Sequence, residues 1–547
     1  NCGGSLAFMK VGAKTHLVNG GDGAVVVARP AKAWAVASVV LAMVMPWINP
    51  LAVGPTPQVW PWLISMASAM VLILIVRFQP VPLVRCIGAA WLSAALISSS
   101  MGLVQFFGLS PQWTPWINTT GMGEAFGNLR QRNQFATLTN IGLAVLLWGQ
   151  TRLRWHCGFP APVETATCQK PSFSTSAAAT LLALGNAVSS SRTGLLQLAL
   201  LVLVVMLSGA WRRQRIAGIL GFAVLVYGLA SAWMPVMIGL QPFAAGAVSR
   251  LQLDGQSCGS RTALWTNVLH LIELKPLHGW GWGNLDYAHF VTVFEGVRFC
   301  NILDNAHNLP LHLAVELGIP VALLTCGLLG WLVLRARPWR ETDDNRRMAW
   351  AVLALIGLHS LLEYPLWYGP FQIAVALAVW ILWRTPASDA CGGAEPAPPP
   401  SSPAPGSAWV AGCAAAVLLA VAYAGWDYYR VSQIYREPAQ RAAAYRVDTL
   451  AKVQDSWLFR NQVRFATLTL SSVTPANAMA INRSAHALLH FSPEARVVAK
   501  LIDSALVLQR TDEAVFFMRR FRAAYPNDYA RWRETREPVA DLPPIDP

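Results

Sequence analysis

The amino-acid sequence predicts an all-α protein. It reads as a polytopic membrane-helix bundle of about eleven spans, or twelve, with a long ordered outer loop and a C-terminal helical-repeat-like domain. Three observations predict this. Of 547 residues, 54% are hydrophobic and only 13% charged, with a mean hydropathy of +0.40, whereas soluble domains carry roughly 25% charged residues. Apolar runs of about 20 residues, the thickness of a bilayer core, recur along the chain. Many of the 24 Trp stand at the ends of these runs, where indole rings suit the membrane–water interface. The net charge of +14 does not argue for nucleic acid, because the positive residues alternate with the spans.

Residues 1–33 are Gly-rich with scattered Lys and read as a flexible cytoplasmic segment without a cleavable signal peptide. A first membrane block, 34–238, has spans near 34–53, 61–78, 84–107, 134–150, 175–190, 194–208 and 216–238. Residues 239–313 form a long loop with apolar residues at helical spacing (Leu264, Trp265, Val268, Leu269, Ile272). Ordered loops of this length are usually functional, and this one is expected to be catalytic. A second block, 314–383, has spans near 314–334, 348–365 and 369–383. Residues 384–407 read as a Pro-rich cytoplasmic linker and 408–426 as the last span. In 427–547, Ala, Arg, Leu and Phe recur with helical period between Pro438, Pro475, Pro493 and Pro526, which suggests short amphipathic helices stacked in pairs, as in a tetratricopeptide array. Segments on one side of these spans hold eighteen Lys and Arg, and those on the other hold seven. The positive side is expected to be cytoplasmic, with the N-terminus inside and the C-terminal domain outside.

Five segments of the poorer side hold candidate chemistry. Gln131, Arg132 and Asn133 stand in a polar stretch entering the fourth span, either as an interface cap or as a wall for sugar or phosphate. Arg192 follows Ser189-Ser190-Ser191 beside the membrane core; it either snorkels to water or serves a site. Arg261 opens the loop helix, either as a solvated surface residue or as a grip on phosphate oxygens through parallel hydrogen bonds that Lys cannot make. His307 lies within Asp304-Asn305-Ala306-His307-Asn308, where a histidine flanked by amides is either structural or a proton acceptor near neutral pH. Glu363, Tyr364 and Tyr368 belong to Glu363-Tyr364-Pro365-Leu366-Trp367-Tyr368, either an aromatic belt or a surface for acceptor and sugar. Gly279-Trp280-Gly281-Trp282-Gly283-Asn284 is no dinucleotide fingerprint, because it does not follow a strand in a βαβ unit; it reads as a tight turn whose rings could stack on sugar. Cys258 and Cys300 are the only cysteine pair of the outer loop and are expected to bridge its two arms. No Cys/His spacing resembles a zinc site.

At these residues the chain resembles the O-antigen ligase and polymerase superfamily of bacterial inner-membrane enzymes. The resemblance rests on Ser191-Arg192, the Arg261…Trp265 helix, Pro276-Leu277-His278-Gly279-Trp280-Gly281, and Asn305-Ala306-His307-Asn308 followed by Glu316-Leu317-Gly318. The Glu363…Tyr368 motif, Gln131, Asn133 and the helical tail are similar to the PglL-type protein O-oligosaccharyltransferases. This resemblance implies en bloc transfer of a glycan from undecaprenyl pyrophosphate to Ser or Thr of a periplasmic protein, type IV pilin being one acceptor of that family. It implies no required metal or other cofactor, and no nucleic-acid partner. Arg192 and Arg261, with help from Arg132, are expected to stabilise the leaving pyrophosphate, and His307 to take the acceptor proton. Tyr364, Tyr368, Glu363, Asn305, Gln131 and Asn133 are expected to position substrate. The tail either recognises the acceptor or stabilises the loop. Transfer to lipid A core by an O-antigen ligase is the nearest rival, followed by a glycan polymerase and a lipid-linked-sugar transporter. Polar groups clustered on one face, rather than through the midplane in two repeats, favour an enzyme.

Overall fold

The structure, a computed structural model, describes residues 32–51, 54–149, 173–242, 258–385 and 407–535. The expected N-terminal segment, the stretch between the expected spans at 134–150 and 175–190, the first part of the long loop and the Pro-rich linker fall largely or wholly outside the described residues. Those described are helical, with no strand among them. The first seven helices are α1 (Ala33–Ile48), α2 (Val59–Phe78), α3 (Leu83–Phe106), α4 (Arg132–Trp148), α5 (Phe173–Val188), α6 (Arg192–Leu207) and α7 (Gln214–Met237). The long loop contributes α8 (Arg261–Leu274), α9 (Leu285–Val291) and α10 (Leu309–Leu317). There follow α11 (Ile319–Ala336), α12 (Asp344–Ser360), α13 (Gly369–Arg384) and α14 (Ser407–Ser432), and then α15 (Arg460–Leu470), α16 (Ala478–Leu489), α17 (Ala495–Val507), α18 (Thr511–Ala524) and α19 (Pro526–Glu534).

Among the described residues, five helices are long and apolar enough to cross a membrane: α2, α3, α7, Ile319–Arg340 and Ala408–Tyr435. Four more, α1, α5, α6 and α13, are apolar but only 16 residues each, so at 1.5 Å per residue each covers roughly 24 Å. The other two expected spans, α4 and α12, are less apolar for identifiable reasons. α12 opens on Asp344, Arg346 and Arg347. α4 is the central helix, buried at every position from Gln134 to Trp148 between α3, α5, α6 and α12. Enclosed by protein, it can carry polar side chains on all faces.

Two expected boundaries move. The span placed at 314–334 is broken at Gly318, whose φ of 90° and ψ of 159° are open only to glycine, so α10 ends and α11 begins there. The last span does not stop at 426: α14 runs unbroken to Ser432 and carries Asp427 and Arg430, an ion pair of 2.8 Å, at the base of the tail. The tail helices α15–α19 enclose an apolar core of their own. Phe290 of α9 belongs to that core and stacks on Phe517, Tyr287 stacks on His490 at 3.9 Å, and Arg520 donates to the Val291 carbonyl at 2.7 Å. The tail therefore packs directly on the long loop.

A Cβ at position 318 would overlap the Leu277 carbonyl, part of the backbone that folds the Gly279-Trp280-Gly281 turn against α10. Gly318→Ala is expected to destabilise the protein by roughly 1–3 kcal/mol, read as a lower thermal midpoint of the purified protein. An unchanged midpoint would show that this break tolerates a side chain.

Candidate active site

Glu363 lies three residues beyond α12, where Pro365 prevents the helix from continuing. Its backbone N–H still donates to the His359 carbonyl at 2.8 Å, so the last turn of α12 aims its carboxylate inward, where it is buried. Four donors converge on it. Oε1 accepts from Asn133 Nδ2 at 3.0 Å and from Arg261. Oε2 accepts from Gln131 Nε2 at 3.2 Å and pairs with His307 Nδ1 at 2.5 Å. An ionised carboxylate offers about four lone-pair sites, and all are used. Burial pushes the Glu363 carboxyl up, but the hydrogen bond and charge of His307 and the charge of Arg261 outweigh it, leaving the group below the usual carboxylate range.

Each donor is held by local structure. Arg261 opens α8 behind the Ser260 N-cap, whose side chain accepts from the Ala263 N–H, and it also donates to the Leu362 carbonyl. His307 has φ +50°, a conformation rare for a side chain other than glycine. The Asn305 carboxamide fixes this turn by accepting the His307 N–H at 2.9 Å. Gln131 and Asn133 stand at the start of α4. Asn133 also accepts the Ser191 hydroxyl at 2.6 Å, and Ser191 caps α6, so Arg192 opens α6 one residue from this junction. The turns before α4 and α6 and at His307 contain Arg130, Ser190 and His307, three of the six non-glycine residues at positive φ among those described. Such strain persists where the surroundings over-determine it.

The aromatic motifs meet at the same place. Tyr364 packs edge-on to His307 at 5.0 Å and stacks with Tyr368 at 6.1 Å. Burial pushes both phenols up, so they remain protonated donors. Trp282 of the Gly-rich turn stacks on Trp367 at 5.9 Å and leaves 59% of its surface exposed. Asp304 is raised by burial, against the pull of His307. The Cys258–Cys300 disulfide closes the loop before α8 onto the segment leading to His307.

The structure thus brings together Gln131, Asn133, Arg261, Asn305, His307, Glu363 and Tyr364. Arg132 turns instead to Glu124, 3.1 Å away, on a more exposed edge. Tyr368 faces a small cavity shared with Arg130 and Gln134. Glu363 has a more central place than the sequence suggested. It is the hub on which Arg261 and His307 both bear.

Three family models match three successive stretches of the chain, and each stretch supplies part of this site. Residues 125–148 match "Protein glycosylation ligase", 177–326 match "O-Antigen ligase", and 347–540 match "Virulence factor membrane-bound polymerase, C-terminal". Two curated relatives come from Acinetobacter baylyi (strain ATCC 33305 / BD413 / ADP1). A ComP-specific O-oligosaccharyltransferase is 25% identical over 254 residues, 46% of this chain and 43% of that protein. A general O-oligosaccharyltransferase is 22% identical over 299 residues, 53% of this chain and 49% of that protein. The match therefore spans less than half the length of either relative. The apolar helices and the family matches define an integral membrane protein. These matches support the O-antigen ligase superfamily and a PglL-like chain within it.

The Glu363 carboxylate contributes stability above its unfolded-state pKa of about 4.3, and that contribution is lost as pH falls through its lower folded value. Glu363→Gln should lower the thermal midpoint at neutral pH, and the gap to wild type should narrow toward acid pH. A gap independent of pH would show that the charge of Glu363 is not what the four donors stabilise.

Proposed function

We propose that this chain is a glycosyltransferase that moves a preassembled oligosaccharide en bloc from undecaprenyl pyrophosphate to Ser or Thr hydroxyls of periplasmic proteins. The observation that carries the reading is the His307–Glu363 pair, set beside arginines and an exposed aromatic ring in a PglL-like membrane protein. A hydroxyl nucleophile needs a proton acceptor. With Nδ1–H donating to Glu363, His307 presents Nε2 as the base, and the carboxylate stabilises the imidazolium that forms.

The acceptor oxygen attacks the anomeric carbon while its proton passes to His307 Nε2. The bond from that carbon to the pyrophosphate oxygen breaks, and the lipid pyrophosphate leaves with the electron pair. A single displacement of this kind inverts the anomeric centre. Arg192 and Arg261, the latter held by Glu363, stabilise the leaving pyrophosphate, with Arg132 as a further cation at the rim. Tyr364 and Tyr368 donate hydrogen bonds to the glycan, and Trp282 stacks on a sugar face. The reading calls for no metal or other cofactor.

The reading places the protein in the bacterial inner membrane through about eleven spans, with the N-terminus cytoplasmic and the site, long loop and tail periplasmic. The Lys and Arg distribution supports this orientation, as does a disulfide in the loop, which suits an oxidising compartment. Pilin is a suitable acceptor class. Transfer to lipid A core is the second reading, favoured by the match of residues 177–326 to the O-antigen ligase model.

Purified protein reconstituted with lipid-pyrophosphate-linked glycan, a periplasmic pilin and lipid A core is expected to glycosylate pilin Ser or Thr, read by intact mass. Product on lipid A core alone would select the second reading, and chain elongation of the donor would select a polymerase. His307→Ala should lower transfer on the order of 10²–10⁴-fold. Wild-type rates in that variant would remove His307 from the reaction.

A further inference from the structure

Beneath Glu363 the bundle holds polar side chains that the mechanism above does not use. His359 lies one helical turn before Glu363 and is wholly buried, edge-on to Phe371. Its Nδ1 is 2.9 Å from Thr137 Oγ1 on α4. That hydroxyl also lies 2.8 Å from the Asn133 carbonyl and accepts from Gln197 Nε2 at 2.9 Å. His359 Nε2 has no partner among the described residues, and a buried N–H is costlier to orphan than a buried lone pair, so the ring proton belongs on Nδ1 and is donated to Thr137. Gln197 Nε2 and His359 Nδ1 then fill the lone pairs of the hydroxyl, whose own proton goes to the Asn133 carbonyl at 2.8 Å in preference to Gln197 Oε1 at 3.1 Å.

These bonds close a ring. The His359 imidazole fixes the Thr137 hydroxyl, Thr137 holds the Asn133 carbonyl, and the Asn133 side chain donates to Glu363. The Glu363 N–H returns to the His359 carbonyl. We propose that His359 is a positioning residue for the transfer reaction, acting through Thr137 and Asn133 to hold the Glu363 carboxylate against His307. The inference rests on the reading of His307 as the base.

Stability does not account for a histidine here. A buried polar ring with one nitrogen unsatisfied costs free energy that an apolar side chain of similar size would not. Aim does account for it. A hydroxyl can rotate among several partners, and His359 as a second donor beside Gln197 Nε2 fills its lone pairs and leaves it one arrangement. That arrangement fixes the first turn of α4, where Asn133 meets both Glu363 and Ser191.

The test uses the full chain with the donor and protein acceptor described above, and two pairs of variants on opposite helices. His359→Asn keeps a donor near Nδ1 and His359→Leu removes it; Thr137→Ser keeps the hydroxyl and Thr137→Val removes it. His359→Leu and Thr137→Val are expected to lose kcat on the order of 10²-fold, the usual effect of a displaced catalytic group, with KM for both substrates unchanged. His359→Asn and Thr137→Ser should retain most of kcat, and His359→Leu should melt no lower than wild type. Wild-type kcat in His359→Leu, or equal damage from Asn and Leu, would overturn the inference alone. Wild-type protein that transfers no glycan would overturn the functional reading and this inference with it.

Discussion

A carboxylate in the interior of a membrane protein is tolerable only if its charge and its lone pairs are met by the protein. Glu363 is met by Gln131, Asn133, Arg261 and His307, which come from the start of α4, the start of α8 and the turn before α10. Removing any one of them leaves part of a buried acceptor unsatisfied. The requirement therefore ties the loop helices to the bundle at one point. It also explains why three stretches matched by three separate family models meet at a single side chain.

The rest of the bundle supports that point from below. α4 is enclosed on every side, and its polar residues Thr137 and Asn140 bond to α6, α12 and the Gly194 carbonyl rather than to lipid. In a low-dielectric interior these bonds are rigid, because breaking one strands its partner without water to replace it. Strained turns at Arg130, Ser190 and His307 sit at its upper edge, where such a frame can hold them.

The tail completes the loop rather than hanging from it. Phe290, Tyr287 and Val291 of α9 are covered by α16 and α18, and Asn284, the last residue of the Gly-rich turn, pairs with His490 at 2.7 Å. Of the two roles open to the tail, support of the loop has direct contacts behind it. The loop is held from both ends, by the tail at α9 and by the Cys258–Cys300 bridge before α8.

Much of this was legible in the chain itself. Hydrophobic runs mark where the bundle helices lie, because helix formation in an apolar medium follows from local composition and unsatisfied backbone, but they do not mark the break at Gly318 or the continuation of α14 to Ser432. Arg192 stood out because an ionisable residue beside an apolar run is costly there without a use, Arg261 because its side chain can grip phosphate, and His307 and Glu363 because of the motifs they stand in. Asn133, Thr137 and Asn140 recur at helical spacing, which marks a polar stripe on α4, but not what faces it. Pairings across 56, 102 and 232 residues of chain decide that His307, Arg261 and Gln131 share one carboxylate. The same limit applies to His359 and Thr137, whose partners lie on different helices. Sequence alone determined the helices and the residue types able to carry charge, since those depend on neighbours along the chain. Tertiary structure decided which charges neutralise one another, because that depends on which helix ends pack together in space.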